Sequence, residues 1–208
     1  MLRRQSLLLA LVGAGTVPAA AQTRQFASIQ ASAIIMTLSG RGGSQSQFGW
    51  KSGLGGEAQF RIAPPGPFSI GAGVQFTSHS GSNPQFPEDR NKVTGIFLEP
   101  RYAIKVNSSK LRPYLAARVA RLKQSLTLEG LAGQSNLKWS ATATGFGGGG
   151  GFLVRLGPSA NFDVGAAFMT ADFGKSYRDA SGVVPGEEGP GNGSPFLLKA
   201  GINVGLGK

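Results

Sequence analysis

Cysteine is absent from the 208 residues, histidine occurs once, and acidic residues number 10 against 21 Lys and Arg. Without cysteine the chain forms no disulfide and offers no thiol, and a lone histidine is poor support for a transition-metal site. Beyond the first residues no apolar run reaches the roughly 18 residues that a membrane-spanning helix needs. Long helices of any kind are unexpected, because 33 glycines and 12 prolines interrupt the chain.

The N-terminus has the features of a secretory signal. Arg3 and Arg4 precede an apolar run from Leu7 to Val12, and Ala19-Ala20-Ala21 offers a cleavage site of small residues. The apolar run is too short to span a bilayer as an anchor. We therefore expect residues 1–21 to be a removed signal peptide and residues 22–208 to form the mature protein, a single domain.

The remaining chain is strongly basic. Removal of Arg3 and Arg4 leaves 19 basic against 10 acidic residues, a formal charge of +9. Such a surplus attracts polyanions, and in an exported protein the candidates are anionic lipid and lipopolysaccharide, not nucleic acid.

Alternation of apolar with small or polar residues is the dominant pattern. In the segment 162–169, Phe162, Val164, Ala166 and Phe168 alternate with Asp163, Gly165, Ala167 and Met169. Successive side chains of a β-strand point to opposite faces, so the period of two predicts a strand with one apolar face. Eight candidate strands show the pattern, at 26–38, 54–62, 68–77, 96–105, 112–119, 146–156, 162–169 and 198–206. The phase of the first is ambiguous.

The connections between these strands alternate in length. Short connections occur at 64–67, 107–110 and 157–159, and long polar connections at 40–50, 80–91, 125–138 and 174–194. Short turns at one end and long loops at the other are typical of outer-membrane barrels, in which the turns face the periplasm. The sequence predicts an all-β fold, an eight-stranded antiparallel up-and-down transmembrane β-barrel.

The two faces of the strands predict two environments. The apolar face should contact lipid, and its members include Phe68, Ile70, Val74, Ile96, Leu98, Phe152, Phe162, Val164, Phe168, Ile202 and Val204. The small or polar face should line the lumen, where alternation places Glu57, Arg61, Glu99, Arg101, Arg118, Asp163 and Lys199. Seven charges are too many for the dry core of a soluble sandwich or lipocalin.

Two segments resemble a known family. They are LRPYLAARVA, which opens the fifth strand, and the glycine-rich GFGGGGGFLVRL, which a tight turn joins to NFDVGAAF. Together with the hairpin register they resemble the small outer-membrane barrels, such as the OmpA transmembrane domain, OmpX and OmpW. The resemblance implies a monomer in the outer membrane of a Gram-negative-type envelope, inserted by the barrel-assembly machinery.

Catalytic and cofactor motifs are poorly supported. Gly145, Gly147 and Gly150 match the dinucleotide fingerprint G-x-G-x-x-G, but a strand follows them where the motif requires a helix. His79 should point into the lumen, whereas Ser78 and Ser80 on the same strand should point outward, so no serine is placed beside this base. We expect no catalytic residues, no cofactor and no metal site.

Three functions remain, and the lumen decides between the first two. In a narrow eight-stranded barrel the seven charges can pair and plug the interior, leaving a structural or surface-interaction protein. Alternatively they form a constriction in a narrow, porin-like channel for small hydrophobic or ionic solutes. A lipid-modifying enzyme is a distant third. Basic residues that flank the loops, among them Arg90, Lys92, Arg121 and Lys123, are candidates for contact with lipopolysaccharide phosphates.

Overall fold

The computed structural model describes residues 26–39, 51–81, 89–128, 137–174, 176–188 and 191–206. All regular elements in these ranges are strands. Their bounds are β1 Ala27–Thr37, β2 Gly53–Ile62, β3 Phe68–Ser80, β4 Arg90–Ala103, β5 Leu111–Leu128, β6 Leu137–Arg155, β7 Ala160–Asp172, β8 Ser176–Arg178, β9 Val183–Glu188, β10 Asn192–Gly193 and β11 Phe196–Leu206. The described residues contain no helix long and apolar enough to cross a membrane.

Eight long strands close into a barrel. Each of β1 to β6 pairs antiparallel with the next, β7 pairs with β11, and β11 pairs with β1, which closes the barrel. Closure leaves none of the eight with an unpaired edge, so the main-chain groups are satisfied within the sheet, as a bilayer requires. The predicted eight-stranded antiparallel barrel is confirmed.

The two ends of the barrel differ. Residues 63–67, 104–110 and 156–159 form short turns at one end, where Ala27 of β1 also pairs with Leu206 of β11. The first turn contains Pro64-Pro65-Gly66-Pro67, and Gly66 adopts a positive φ of 131° that disfavours other residues. We call this the turn end, and the opposite end, where the longer connections lie, the loop end.

Two predicted loops contain more strand than expected. The connection predicted at 125–138 is shorter, because β5 continues to Leu128 and β6 begins at Leu137. The connection at 174–194 carries β8, β9 and β10, which extend the sheet through the pair Ser140–Arg178 and through β10 against β7. Residues 40–50 and 82–88 and the predicted signal peptide, 1–21, lie outside the described residues.

The outward face carries the apolar row. Of the eleven residues predicted to face lipid, ten are more than 40% exposed, and Phe162 is partly buried on the same face of β7. In β1 the structure resolves the ambiguous phase, because Gln30, Ser32, Ile34 and Met36 are buried while Ile29 and Ile35 are exposed. Both faces of β1 carry large apolar residues, so alternation alone could not choose between them.

The lumen has two layers, and the sequence predicted only the charged one. Near the turn end it holds the charged side chains, but towards the loop end it holds an apolar core together with the buried polar residues Thr77, His79, Asn91 and Gln124. This core consists of Ile34, Met36, Leu38, Val93, Phe97, Ala120, Leu122, Leu126, Leu128, Trp139, Ala141, Ala143, Met169, Ala171, Phe173, Tyr177 and Leu197. The expectation that inward residues are small or polar therefore holds only in part for the loop half, where large apolar side chains also point inward. An eight-stranded barrel is narrow enough for either kind of side chain to fill it.

The glycine run of β6 brings two strands into close approach. A Cβ added at the inward-facing Gly149 would overlap the carbonyl oxygen of Ala166 on β7, whereas one at the outward-facing Gly148 would meet only the Ala116 carbonyl at 3.3 Å. The inward glycines thus allow β6 and β7 to lie closer than side chains permit.

We expect Gly149→Ala to lower the free energy of unfolding by about 1–3 kcal/mol, the usual cost of overpacking. Gly148→Ala is the matched control and should change it by less than about 0.5 kcal/mol, as an ordinary surface substitution does. Urea unfolding in lipid vesicles, followed by tryptophan fluorescence, measures both. Equal effects of the two substitutions would contradict the close approach.

Candidate functional site

Seven charged side chains meet inside the barrel near the turn end. They come from β2, β4, β5, β7 and β11, and none is more than 6% exposed. They are Glu57, Arg61, Glu99, Arg101, Arg118, Asp163 and Lys199, the residues that alternation placed on the inward face. We refer to them as the charge network.

Glu99 is the centre of the charge network. Its Oε1 accepts from Arg101 Nε at 2.8 Å and Arg61 Nη2 at 2.9 Å, and lies 3.1 Å from Lys199 Nζ. Its Oε2 lies 3.0 Å from Arg118 Nε. One carboxylate therefore contacts all four cations, which come from three strands besides its own.

The two other carboxylates of the charge network pair with cations at its edge. Glu57 Oε2 lies 2.6 Å from Arg118 Nη2, and its Oε1 lies 3.5 Å from Lys199 Nζ. Asp163 Oδ2 lies 2.9 Å from Arg101 Nη2, while its Oδ1 accepts a 2.7 Å hydrogen bond from the hydroxyl of Tyr114. Buried charges are tolerated only with such pairing, because an unpaired ion loses its hydration without compensation.

Neutral inward residues complete the network, and the sequence analysis did not single them out. Arg61 Nη2 donates to Gln59 Oε1 at 2.9 Å, Arg118 Nη1 to Gln75 Oε1 at 3.3 Å, and Arg101 Nη2 to Gln30 Oε1 at 3.3 Å. The same parity that places the charges inward also places Gln59, Gln75 and Tyr114 inward, so alternation was the signal that could have found these three. Gln30 lies on β1, whose phase the sequence left ambiguous.

Aromatic rings cover two of the guanidinium groups. Arg101 lies 4.2 Å from the ring centroid of Tyr114, and Arg118 lies 3.8 Å from that of Phe97. Attraction between a cation and an aromatic face compensates part of the lost hydration. Phe97 also belongs to the apolar core, so this contact joins the two layers of the lumen.

Glycines on neighbouring strands make room for the long charged side chains. Gly71 of β3 lies in register between Arg61 of β2 and Glu99 of β4, so Arg61 reaches Glu99 across a position without a side chain. A Cβ there would lie 2.8 Å from Arg61 Nη2. Lys199 likewise pairs with Gly165 of β7. At these two positions the small size of glycine makes room for the neighbouring charged side chains.

The cations of the network outnumber its anions. Arg61, Arg101, Arg118 and Lys199 face three carboxylates, which leaves a formal surplus of one positive charge. Among the described residues, the buried Arg61 Nε and Arg101 Nη1 have no hydrogen-bond partner.

His79 lies in the lumen near the loop end, on the face that parity predicted. Its Nδ1 lies 3.0 Å from the Lys51 carbonyl oxygen, and its Nε2 lies 3.0 Å from the Thr77 hydroxyl. Ser78 and Ser80 are exposed on the opposite face. No group of three or more metal-ligating side chains occurs in the part of the chain that the structure describes.

A closed barrel with an apolar exterior and buried charged side chains in its interior defines a class, that of small membrane-spanning β-barrels. The family model described as outer membrane protein beta-barrel domain matches residues 7–207. The chain belongs to this family and is an outer-membrane protein. No curated protein matches its sequence.

Solved structures of several outer-membrane proteins have the same fold. The Neisserial surface protein A is 20% identical with a TM-score of 0.58, and the alignment covers 86% of this chain and 97% of that one. OprG from Pseudomonas aeruginosa is 13% identical with a TM-score of 0.53 and coverages of 88% and 97%. A major outer membrane protein from Thermus thermophilus is 17% identical with a TM-score of 0.51 and coverages of 86% and 99%.

Proposed function

We propose that this protein is a non-conducting outer-membrane barrel with a structural or surface-interaction role, and that its lumen is plugged by its own side chains. The observation that carries the proposal is the charge network, in which Glu99 joins all four cations across the barrel. The apolar core above it adds a second obstacle, since the free energy of an ion rises steeply in a space lined by apolar groups. The proposal assigns no catalytic step to the protein.

Recording in planar bilayers tests the plug directly. The purified full-length protein should add no resolvable single-channel conductance in potassium chloride, because the charge network and the apolar core are proposed to block the path of ions. A steady, ion-selective conductance of the parent protein would overturn the plug and favour the narrow channel instead.

Orientation follows from the difference between the two ends. We infer that the turn end faces the periplasm and the loop end faces the cell exterior, as in other outer-membrane barrels. Epitope tags inserted at Ser82 or after Glu187 should then bind antibody on intact cells, whereas a tag at Ser108 should bind only after the cells are permeabilised. Labelling of the Ser108 tag on intact cells would contradict this orientation.

A basic patch on the exterior near the loop end supports lipopolysaccharide as a partner. Six exposed cations, all on β4, β5, β6 and β8, form it: Arg90, Lys92, Arg121, Lys123, Lys138 and Arg178. Arg121 is held by the hydroxyls of Thr144 and Thr142 at 2.9 and 3.3 Å. Such a patch at the level of the outer-leaflet headgroups fits the phosphates of lipopolysaccharide.

The double variant Arg121→Gln/Lys123→Gln should lose most of the thermal stabilisation that added lipopolysaccharide gives the refolded protein. Lys51→Gln/Lys105→Gln removes the same charge outside the patch and should keep this stabilisation. The midpoint of heat unfolding with and without lipopolysaccharide is the measurement. If both double variants responded like the parent, the patch would not be the binding surface.

A further inference from the structure

A cavity opens at the turn end, on the side of the charge network away from the apolar core. Its volume is about 200 Å³. Five basic residues line it: Arg61, Arg101, Lys110, Arg112 and Arg155. Asn161 and Ser69 add polar groups to the wall. Among the described residues that line the cavity there is no carboxylate, so the mouth of the lumen is an electropositive pocket.

The carboxylates of the charge network do not neutralise this pocket. Glu99 and Asp163 are shared among four cations, and the network retains a surplus of one positive charge. Arg61 and Arg101 are buried, and both line the cavity. The base of the pocket thus carries excess positive charge in a partly desolvated space, where the attraction between that charge and a bound anion is stronger than in water.

Three further cations surround the mouth. Lys110 and Arg112 are exposed, and neither forms an ion pair with another described residue. Arg155 is half-buried and is oriented by a 3.2 Å hydrogen bond from its Nε to the Gly157 carbonyl oxygen. Its main-chain N–H donates to the carbonyl oxygen of Lys110, which ties the two neighbouring turns together. The mouth is therefore built from turns that are joined to one another.

We propose that this pocket binds a phosphate group, with Arg61 and Arg101 at its base and Lys110, Arg112 and Arg155 at its rim. Guanidinium groups recognise phosphate through paired hydrogen bonds, and several of them around one cavity favour a multiply charged anion over a singly charged one. The phosphate is either free, as inorganic phosphate or a small ester, or part of a phospholipid headgroup from the leaflet at this end. The site goes beyond the proposed function and does not depend on whether the lumen conducts.

Calorimetric titration of inorganic phosphate into the full-length protein in zwitterionic detergent tests whether the pocket binds free phosphate. For the lipid source, the protein is placed in nanodiscs of phosphatidylcholine containing a small fraction of phosphatidylglycerol, and ³¹P NMR follows the headgroup. Lys110→Gln/Arg112→Gln is the test variant, because both side chains are exposed and the charge network is left intact. Lys51→Gln/Lys105→Gln is the matched control, which removes the same charge outside the pocket and outside the basic patch.

We expect saturable binding of one phosphate group per barrel, weakened roughly tenfold or more in the test variant, as the loss of charge-assisted contacts predicts. The control should stay within about twofold of the parent, since only screened surface charge changes. Binding of inorganic phosphate identifies the free source, and binding of phosphatidylglycerol alone identifies the headgroup. Absence of saturable binding in both experiments, or equal weakening in the test and control variants, would overturn the proposal.

Discussion

Glu99→Gln is expected to lower the free energy of unfolding by about 3–5 kcal/mol, the cost of removing one partner from a buried ion pair. The amide keeps the shape of the side chain but leaves Arg61, Arg101, Arg118 and Lys199 with only two carboxylates. All four cations form ion pairs with Glu99 in the parent, so no other single substitution among the seven network residues removes as many ion pairs. Urea unfolding in lipid vesicles is the measurement.

A second substitution separates charge imbalance from loss of packing. Glu99→Gln/Lys199→Met removes one cation as well, and we expect it to recover a measurable part of the lost stability, because fewer unpaired charges remain buried. Bilayer recording of the same variants reports on the plug, since a loosened network should pass ions that the parent excludes. Parental stability together with parental conductance in Glu99→Gln would show that the network is only a hydrated lining.

Leu98→Arg is expected to lower the free energy of unfolding by about 2–4 kcal/mol, the cost of a cation on the lipid face near the bilayer midplane. Leu98 is 52% exposed on the outer face of β4, opposite Ala72 and Val119. Val106→Arg places the same charge on an exposed apolar position of the 104–110 turn, outside the strands, and should cost less than about 1 kcal/mol. The ratio of the two effects measures how deep Leu98 lies in the hydrocarbon.

Equal effects of the two arginines in vesicles would place Leu98 at an interface. No effect of Leu98→Arg at all would mean that the exposed row does not face lipid. Refolding in detergent is a useful additional condition, because a micelle adapts its shape to a misplaced charge more readily than a bilayer. The penalty for Leu98→Arg should therefore be smaller there.

The sequence by itself determined the local features of this barrel. A period of two is a property of the extended backbone, so alternation was enough to predict the strands and to assign Glu99, Arg101, Asp163 and Lys199 to one face. Loop lengths are equally visible in the chain, and their alternation indicated the up-and-down order of strands. Disulfides and long apolar helices could also be excluded from the sequence alone.

Only the tertiary structure decided which charges meet. Glu99 contacts Arg61 and Lys199 because β2, β4 and β11 are brought around one lumen by closure and by the register of every strand pair, and neither can be read from one segment. The two layers of the lumen arise in the same way. Ile34, Leu122 and Leu197 lie on different strands, and the register and stagger of those strands bring them into one apolar core. Alternation specifies the face of a side chain, whereas its neighbours across the barrel depend on non-local pairing.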